Sequence, residues 1–346
     1  MPENNDIFNI GLEQDPANFQ ALTPLSFLAW AEEVYGDDTA VIHGKTQFTW
    51  REFGIRCRRL ASALSRYGIG HGDTVSIMAP NIPPMLEAHY GVPMIGAVLN
   101  SLNYRLDAPT IAFILGHGEA KVLITDKEFA PVIKEALAIL DRDILVIDID
   151  DPLAKEGEFL GEQDYESFLS DGDPAHRMEM PEDEWQAICL NYTSGTTGNP
   201  KGVVYHHRGA FLNAMGGVTV SALNNRSVYL WTLPMFHCNG WWYTWAVTAA
   251  GGDHVCLREV DPAVIFPMIE NYGVTHLCGA PIVLNLLVNA PNEIKTDFPQ
   301  QVDVVTGGAA PPTAIISGME RMGFRVLHAY GLTETYGPAT YCAWQE

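Results

Sequence analysis

Apolar positions along the first half of the chain alternate between helical spacing and short continuous runs. Apolar residues recur at helical spacing over 25–34 and 50–67, and Thr49 is placed to cap the second of these helices. Between them, residues 39–48 have the pattern of a hairpin. Further along, buried strands are predicted at 74–78, 121–125 and 144–147, with helices at 83–98 and 129–140. Strands that alternate with helices predict a parallel sheet with right-handed crossovers.

The second half repeats this alternation after a break in composition. Residues 150–184 are acidic, rich in Gly and Pro and weakly periodic, which predicts a surface excursion between two lobes. Beyond it, strands are predicted at 228–233, 254–257, 274–278, 302–306 and 325–329, and helices at 206–223, 241–249, 262–272, 282–289 and 313–322. The chain is therefore predicted to be an α/β protein of two doubly wound, mostly parallel sheets packed together. One predicted lobe spans 71–224, and the other combines 21–70 with 225–346.

Composition and charge restrict the classes of function. A length of 346 residues allows two or three domains, and a hydrophobic content of 47% is that of a globular protein. The net charge of −22 opposes electrostatic binding to nucleic acid or to an anionic membrane, so neither is an expected partner. No apolar segment is long enough to span a bilayer, and the six scattered cysteines are expected to be free thiols. Because the first residues lack a basic and apolar leader, the sequence predicts a cytoplasmic location.

The strongest candidate for chemistry is the stretch 191–203, Asn-Tyr-Thr-Ser-Gly-Thr-Thr-Gly-Asn-Pro-Lys-Gly-Val. Glycines permit positive φ, so several backbone N–H groups can turn toward one point, while Ser and Thr hydroxyls and Lys201 add donors and a cation. This combination suits a polyphosphate. It is not a Walker P-loop, because only two residues separate Gly198 from Lys201 and a strand is predicted to follow. The alternative is a flexible surface turn.

Three other segments directly follow predicted strands: 234–237, 307–311 and 331–334. Ligands of open α/β sheets lie beyond the carboxyl ends of the strands, so these segments are expected on one rim. Glu334 is the only carboxylate among them, and magnesium takes oxygen ligands and bridges phosphates, so we expect Glu334 to bind the metal. Thr193 and Thr333 offer hydroxyls to the metal or the α-phosphate. The alternative for Glu334 is an acid placed at a helix start.

These motifs resemble the adenylate-forming superfamily, which includes acyl-CoA synthetases, luciferases and peptide-synthetase adenylation domains. The resemblance rests on 191–203, on Gly307-Gly308-Ala309-Ala310-Pro311 and on Tyr330-Gly331-Leu332-Thr333-Glu334-Thr335, and it extends through most of the chain. It implies ATP-dependent activation of a carboxylic acid to acyl-AMP and then thioester formation, with ATP, Mg²⁺ and coenzyme A as cofactors and co-substrates. The flanking segment 236–241 resembles the branch for short- and medium-chain acids that includes 3-methylmercaptopropionyl-CoA ligase.

The resemblance also implies roles for individual residues. Tyr330 would stack on adenine, His237 would orient the carboxylate and Trp241 would contact the acyl tunnel. The implied catalytic residues are Lys201, His237 and Glu334, and the implied metal ligands are Thr193 and Glu334. The implied ATP- and AMP-binding residues are Thr193, Ser194, Gly195, Thr196, Thr197, Gly198, Lys201, Gly308, Ala309, His328, Ala329, Tyr330, Gly331 and Thr333. The implied acyl and CoA pocket consists of His237, Asn239, Trp241, Gly307, Ala310 and Pro311.

The C-terminal end departs from the family pattern. The resemblance implies a ribose-binding aspartate, a hinge and a small mobile domain with an essential lysine beyond Thr335, whereas this chain ends at Glu346. We therefore expect a truncated large domain that holds nucleotide, adenylates poorly and forms no thioester. Two alternatives remain open, an adenylation domain that loads a carrier protein and a non-catalytic nucleotide- or acyl-binding module. A homodimer is also compatible with the sequence.

Overall fold

The computed structural model describes residues 8, 10–193 and 199–343, and every structural statement concerns these residues. The strands are β1 (Thr39–His43), β2 (Thr46–Thr49), β3 (Thr74–Met78), β4 (Val98–Ser101), β5 (Ala120–Asp126), β6 (Leu145–Ile149), β7 (Gln163–Asp164), β8 (Ala187–Thr193), β9 (Lys201–His206), β10 (Val228–Leu230), β11 (Asp253–Val255), β12 (His276–Gly279), β13 (Val302–Thr306), β14 (Phe324–Leu332) and β15 (Gly337–Tyr341).

The helices are α1 (Leu25–Val34), α2 (Trp50–Arg66), α3 (Pro83–Gly91), α4 (Ala108–His117), α5 (Ala130–Ile139), α6 (Tyr165–Ser170), α7 (His207–Val220), α8 (Cys238–Trp241), α9 (Tyr243–Ala250), α10 (Pro262–Tyr272), α11 (Pro281–Val288) and α12 (Thr313–Arg321). Short 3₁₀ turns cover Pro93–Ile95, Lys127–Phe129, Asn292–Ile294 and Thr333–Thr335. Within the described ranges, no helix combines the length and the apolar content needed to cross a bilayer.

The strands form two mostly parallel sheets, which confirms the predicted α/β class. The eight-stranded sheet has the order β15-β14-β13-β12-β10-β11-β1-β2, and the seven-stranded sheet has the order β7-β6-β5-β3-β4-β8-β9. Antiparallel pairing is confined, among the described strands, to β1 with β2, β8 with β9 and β14 with β15. Each sheet draws on strands that are separated by crossover helices, as the alternating pattern indicates. The exact lobe boundaries stay a prediction.

One hydrophobic core joins the two sheets. Leu99 of β4 lies in the same cluster of buried residues as Trp231, which follows β10, and Trp245 of α9. Asn81 crosses the same boundary. Its Nδ2 donates to the carbonyl oxygen of Trp231 at 2.7 Å, and its Oδ1 accepts from the N–H of Met235 at 2.7 Å. The carboxyl ends of strands from both sheets are thereby held close together.

Helix α2 begins at the residue that the sequence predicts as its cap. The Thr49 side chain accepts from the N–H of Glu52 at 3.2 Å, and the Glu52 carboxylate accepts from the N–H of Thr49 at 2.8 Å. This reciprocal pair satisfies two donors that the first helical turn leaves without partners.

We expect Thr49→Ala to lower the free energy of unfolding by about 1 kcal/mol, because it removes the acceptor for the N–H of Glu52. Urea denaturation measures this loss. The control is Glu52→Gln, which keeps an oxygen for the return bond and should cost less than Thr49→Ala. Equal losses in the two variants would contradict the capping role.

The structure differs from the sequence prediction between residues 83 and 117. The predicted helix over 83–98 ends at Gly91, and Val98–Ser101 forms the strand β4 between β3 and β8. Pro93 and Gly96, which has a φ of 68°, break the helix. Helix α4 was also missed, although Asp107 caps it by accepting from the N–H of Thr110 at 3.1 Å. A short buried apolar run cannot be assigned to strand or helix by periodicity alone.

The acidic region 150–184 is not only a surface excursion. Within it, β7 extends the seven-stranded sheet, and α6 places Tyr165, Phe168 and Leu169 in the core. Asp164 caps α6 by accepting from the N–H of Ser167 at 3.0 Å. Three apolar anchors in a six-residue helix are too few to show a period, so the prediction of a purely surface segment was wrong here.

Candidate active site

A first cavity of about 390 Å³ lies where the carboxyl ends of β4 and β8 meet the segments that follow β10 and β14. Both sheets therefore contribute to it, whereas the strand-end rule was applied only to the sheet that contains β10 and β14. Its lining residues are Asn100, Ser101, Leu102, Asn103, Leu106, Thr110, Ile114, Asn191, Tyr192, Thr193, Pro200, Phe236, His237, Cys238 and Thr333. The cavity thus brings together three predicted site residues from three separate segments, namely Thr193, His237 and Thr333.

A second cavity of about 700 Å³ adjoins the first. Asn103, Phe236 and His237 line both cavities, so His237 lies at their boundary. Trp241, Gly307 and Gly308 line only the second, together with apolar side chains that include Ile282, Val283 and Leu286. The cations Arg105 and Lys155 also line the second cavity. A mainly apolar chamber therefore meets a polar one at a histidine.

The strands that flank the predicted phosphate loop lie at the first cavity. Thr193 ends β8 and pairs with Lys201, the first residue of β9, in an antiparallel register. The Lys201 side chain is exposed, and Thr193 is half-buried. The predicted loop residues Ser194, Gly195, Thr196, Thr197 and Gly198 lie outside the described residues.

The segment with Thr333 and Glu334 is fixed against the opposite sheet. The Tyr205 hydroxyl of β9 donates to the carbonyl oxygen of Thr333 at 2.7 Å, and its ring stacks on that of Tyr336 at 3.6 Å. The Cys238 thiol donates to Oγ1 of Thr333 at 3.5 Å. Burial raises the pKa of Tyr205, so this hydroxyl remains a donor at neutral pH. The Glu334 side chain is exposed beside this anchored turn.

The predicted metal ligands at the candidate site offer oxygen atoms. Within the described part of the chain no group of three or more His, Cys, Asp or Glu side chains could hold a metal. Thr193 and Glu334 supply one hydroxyl and one carboxylate, and magnesium commonly takes one or two protein oxygens while phosphates and waters complete its shell. Glu334 itself lines neither cavity, so the magnesium role of Thr193 and Glu334 stays a prediction.

Strand β14 carries four predicted nucleotide-binding residues. It runs to Leu332, further than predicted, because β15 pairs with its end. His328 is half-buried and Ala329 is buried, whereas Tyr330 is 61% exposed and presents a free aromatic surface. Gly331 lies at the close approach of the two strands, since a Cβ there would be 1.9 Å from the carbonyl oxygen of Gly337. Only glycine fits at that position.

The glycine-rich turn after β13 meets the aromatic cluster. A Cβ on Gly307 would lie 2.8 Å from Cη2 of Trp241 and 2.9 Å from the carbonyl oxygen of Ala329. The missing side chain therefore lets the Trp241 ring pack against the backbone at the second cavity. Gly308 has a φ of 84°, a left-handed conformation that favours glycine. Ala309, Ala310 and Pro311 follow at the surface and line neither cavity.

His237 precedes a run of left-handed backbone. Residues 238–242 all have positive φ, between 47° and 64°. Such a run is rare outside glycine and costs free energy that surrounding contacts must offset. The His237 side chain is exposed where it borders the two cavities, and partial loss of solvent around its ring lowers the pKa of His237. A neutral imidazole is therefore favoured at the boundary of the two cavities.

The pocket role predicted for Asn239 does not agree with its position. The side chain is fully buried and lines neither cavity. Its Nδ2 lies 3.0 Å from Nε2 of His89, and its Oδ1 accepts from Nδ2 of Asn191 at 2.6 Å. The left-handed turn directs this carboxamide into the core, a direction that the sequence could not reveal. Asn239 is therefore corrected from a pocket residue to a buried hydrogen-bonding residue.

Sequence reasoning missed several residues at the cavities. Asn100, Ser101 and Asn103 come from β4 and the loop after it, and that strand was not predicted. Polar residues directly after the apolar run 97–99 were the available signal. Arg258 lines the second cavity and bridges carboxylates from residues 126–151, a contact that no local pattern indicates.

Comparison with known proteins identifies the family. The chain matches the model of the AMP-binding enzyme family over residues 28–346. The chain belongs to the AMP-binding enzyme family. It is 49% identical to acetate/butyrate–CoA ligase AAE7 of Arabidopsis thaliana and 49% identical to acetate–CoA ligase CCL3 of Humulus lupulus. Each alignment covers 96% of this chain and 61% of the relative, so the chain spans 61% of the length of these AMP-binding relatives.

Solved AMP-binding proteins share the fold. The structure of the anthranilate–CoA ligase AuaEII with anthranoyl-AMP aligns with a TM-score of 0.85 at 20% identity, over 95% of this chain and 63% of that one. The N-terminal domain of FACL13 from Mycobacterium tuberculosis aligns with a TM-score of 0.80 at 25% identity, over 92% of this chain and 78% of that one. The arrangement of two mostly parallel sheets is thus that of the large domain of this family.

The names of the relatives contradict the predicted location. The Arabidopsis thaliana ligases for acetate or butyrate, for butyrate and for benzoate are all named peroxisomal. The cytoplasmic location predicted from the sequence is therefore wrong. Peroxisomal import depends on short signals read by a receptor, and composition does not indicate such signals.

Proposed function

We propose that this chain belongs to an enzyme that activates a short- or medium-chain carboxylic acid with ATP, forming acyl-AMP and pyrophosphate, and then transfers the acyl group to coenzyme A. The observation that carries this proposal is the first cavity, where Thr193 and Thr333 from separate segments meet His237 at the entrance to an apolar chamber. The relatives named acetate–CoA and acetate/butyrate–CoA ligases support a short acid.

The first cavity would hold the phosphates. Thr193, the loop residues 194–198 and Lys201 would surround the β- and γ-phosphates, while Thr333 would contact the α-phosphate. Glu334 and Thr193 would hold magnesium, which neutralises phosphate charge when bound. The exposed ring of Tyr330 would stack on adenine. Such charge neutralisation is needed because the reaction brings two anions together in an acidic protein.

The boundary between the cavities would hold the acid. His237 would orient the carboxylate so that one of its oxygens attacks the α-phosphorus of ATP as the bond to the β-phosphate oxygen breaks. Pyrophosphate leaves, and the acyl group lies toward Trp241, Gly307 and Gly308 in the second cavity. The thiol of coenzyme A would then attack the acyl carbon and displace AMP. Ala310 and Pro311 stay proposals for this pocket.

Glu334→Gln tests the proposal. We expect the variant to lose about 10²- to 10³-fold in acid-dependent pyrophosphate release, because a neutral amide holds magnesium poorly and leaves phosphate charge unbalanced. Pyrophosphate release across a panel of straight-chain acids from acetate to octanoate measures the effect. It should be run on this chain and on a protein that spans the full length of the relatives.

Glu320→Gln is the matched control, because Glu320 is an exposed acid on α12 that is not a predicted site residue. It should release pyrophosphate at the unmodified rate. Full activity in Glu334→Gln would contradict the metal role. Nucleotide binding without acid-dependent pyrophosphate release, even in the full-length protein, would support the non-catalytic module instead.

A further inference from the structure

A network of hydrogen bonds runs from the wall of the first cavity into the core. The Ser101 hydroxyl lies 3.4 Å from Oδ1 of Asn191 and 3.3 Å from the carbonyl oxygen of Phe236, and Nδ2 of Asn191 donates to Oδ1 of Asn239 at 2.6 Å. Nδ2 of Asn239 lies 3.0 Å from Nε2 of His89, and Nδ1 of His89 lies 2.7 Å from the carbonyl oxygen of Met85. Asn191 is 2% exposed, and Asn239 and His89 are fully buried.

The donor and acceptor of each hydrogen bond in this network follow from the bond between His89 and Met85. A carbonyl oxygen can only accept, so Nδ1 of His89 must carry the hydrogen that bonds to Met85. Burial lowers the pKa of His89 to about 4, so the ring is neutral and its Nε2 must accept. Asn239 therefore turns Nδ2 to His89 and Oδ1 to Asn191. Asn191 in turn must present Nδ2, which leaves its Oδ1 for Ser101.

This hydrogen-bond network links the two halves of the candidate site. Asn191 lies on β8 two residues before Thr193, in the seven-stranded sheet. Asn239 lies two residues after His237, inside the left-handed turn, with a φ of 47°. Asparagine tolerates this conformation better than most residues, but the turn as a whole is strained. The 2.6 Å bond between the two carboxamides is thus a direct tie from the strand that leads to the phosphate loop to the turn that carries His237.

We propose that Asn191, Asn239 and His89 form a positioning element that holds the strained turn, and therefore His237, in a fixed relation to Thr193. Asn239 and His89 line neither cavity, whereas Asn191 lines the first. Their role rests on the proposed function, because it couples the site for the carboxylate to the site for the nucleotide. If this positioning role is correct, a change at Asn191 alters the protonation of His89, which it does not contact, and loss of the Asn239 carboxamide weakens carboxylate binding more than nucleotide binding.

Asn191→Asp is the decisive variant. A carboxylate at this position cannot donate, so Asn239 must rotate its amide and present Oδ1 to His89. Nε2 of His89 then needs a hydrogen while Nδ1 keeps the one bonded to Met85, so the ring becomes an imidazolium. We expect the pKa of His89 to rise by about two units or more from its value of about 4. A long-range ¹H–¹⁵N spectrum of the unliganded protein, recorded across pH, measures this shift. His254, the titratable neighbour whose charge couples to that of His89, is resolved in the same spectrum.

Ligand binding gives the second readout. With α,β-methylene-ATP as the nucleotide probe and butyrate as the acid, we expect Asn239→Gly to weaken butyrate binding about tenfold and to change nucleotide binding less than about threefold. Asn191→Asp places a carboxylate on the wall of the first cavity, so it should weaken the binding of both ligands. Asn289→Asp is the control, because it makes the same charge change at an exposed residue. It should leave both affinities and the pKa of His89 unchanged.

Asn239→Gly keeps the test valid if Asn191→Asp does not fold. Glycine accepts the positive φ of residue 239 but removes both carboxamide bonds. In this variant His89 should stay neutral, whereas butyrate binding should again weaken about tenfold with little change in nucleotide binding. An unchanged His89 in folded Asn191→Asp, or wild-type butyrate affinity in Asn239→Gly, would overturn the positioning role alone. Failure of the unmodified chain to bind either ligand would instead overturn the proposed function and the coupling with it.

Discussion

Replacing Arg258 by methionine should lower the free energy of unfolding by about 3–5 kcal/mol, because it would leave buried carboxylates without their counter-charge. The guanidinium is 11% exposed and lies 2.7 Å from Oδ2 of Asp126 and 2.6 Å from Oδ2 of Asp151. It also lies 2.6 Å from Glu128. Arg258 follows β11 in the eight-stranded sheet, and the carboxylates follow β5 and β6 in the other. The cluster therefore holds the two sheets together beside the second cavity.

The loss in Arg258→Met should depend on pH. Burial alone would raise the pKa of Asp151, but hydrogen bonds from His43 and the N–H of Leu153, with nearby positive charge, hold it at about 2. In the unmodified protein this carboxylate therefore stabilises the fold above about pH 4, and that contribution is lost only as the pH falls toward 2. Without Arg258 the carboxylates should take up protons at higher pH. The deficit relative to the unmodified protein should then shrink between pH 7 and pH 5.

Urea denaturation at both pH values measures this prediction. The matched control is Arg51→Met, because Arg51 pairs with Asp37 at 3.3 Å where the side chains are 56% and 94% exposed. An exposed pair of this kind contributes about 0–1 kcal/mol, so the control should change little. Equal losses of unfolding free energy for Arg258→Met and Arg51→Met would show that burial of the cluster adds nothing to stability.

The sequence predicts the elements that have strong local signals. Helix α10 has the predicted ends, and helix α2 begins after its predicted cap, because a helical period and a capping side chain act within one segment. The strand-end rule also predicts that His237 and Thr333 converge, since parallel strands place their carboxyl ends on one rim. Thr193 belongs to the other sheet, and strand order alone did not predict that it would join them.

The remaining features depend on partners that are distant in sequence. The Arg258 cluster joins residues 107 and 132 positions apart, and the bond between Asn191 and Asn239 spans 48 positions. Strand β4 is recognisable only from its neighbours, because four apolar or small polar residues show no period. The inward direction of Asn239 follows from a left-handed turn that its contacts stabilise. Local patterns carry no information about any of these pairings.

Acidification from pH 6.5 to pH 4.5 should remove about 5 kcal/mol of stability, on the order of the whole stability of a typical domain. Burial lowers the pKa of His89 and of His207 to about 4 and the pKa of His254 to about 3. These histidines stay neutral in the fold but take up protons once the chain unfolds. The pKa of each ring is lower in the folded protein than the value of about 6.5 in the unfolded chain. The free energy of unfolding therefore falls as the pH drops from about 6.5 toward the folded pKa values.

The local bonding explains why these rings resist protonation. Nδ1 of His254 accepts from Nε1–H of Trp231 at 3.1 Å, so a proton there would break that bond. Nε2 of His89 accepts from Asn239 at 3.0 Å in the same way. Half-buried Asp253 opposes the trend, because burial and the charge of Asp38 raise its pKa to about 6 and it takes up a proton in the fold. The contribution of Asp253 to the free energy of unfolding is smaller than that of the three histidines together, so acidification still lowers stability.

Urea denaturation at pH 7.0, 6.0, 5.5 and 5.0 should show a slope that steepens to about 2–3 kcal/mol per pH unit below pH 6, because each of the three histidines contributes about 1.4 kcal/mol per unit and Asp253 opposes them with about one proton. His207→Asn should reduce this slope by about one proton. A free energy of unfolding that stays constant between pH 7 and pH 5 would mean that the buried rings are protonated in the fold. In that case the donor direction assigned to His89 and Asn239 would also be wrong.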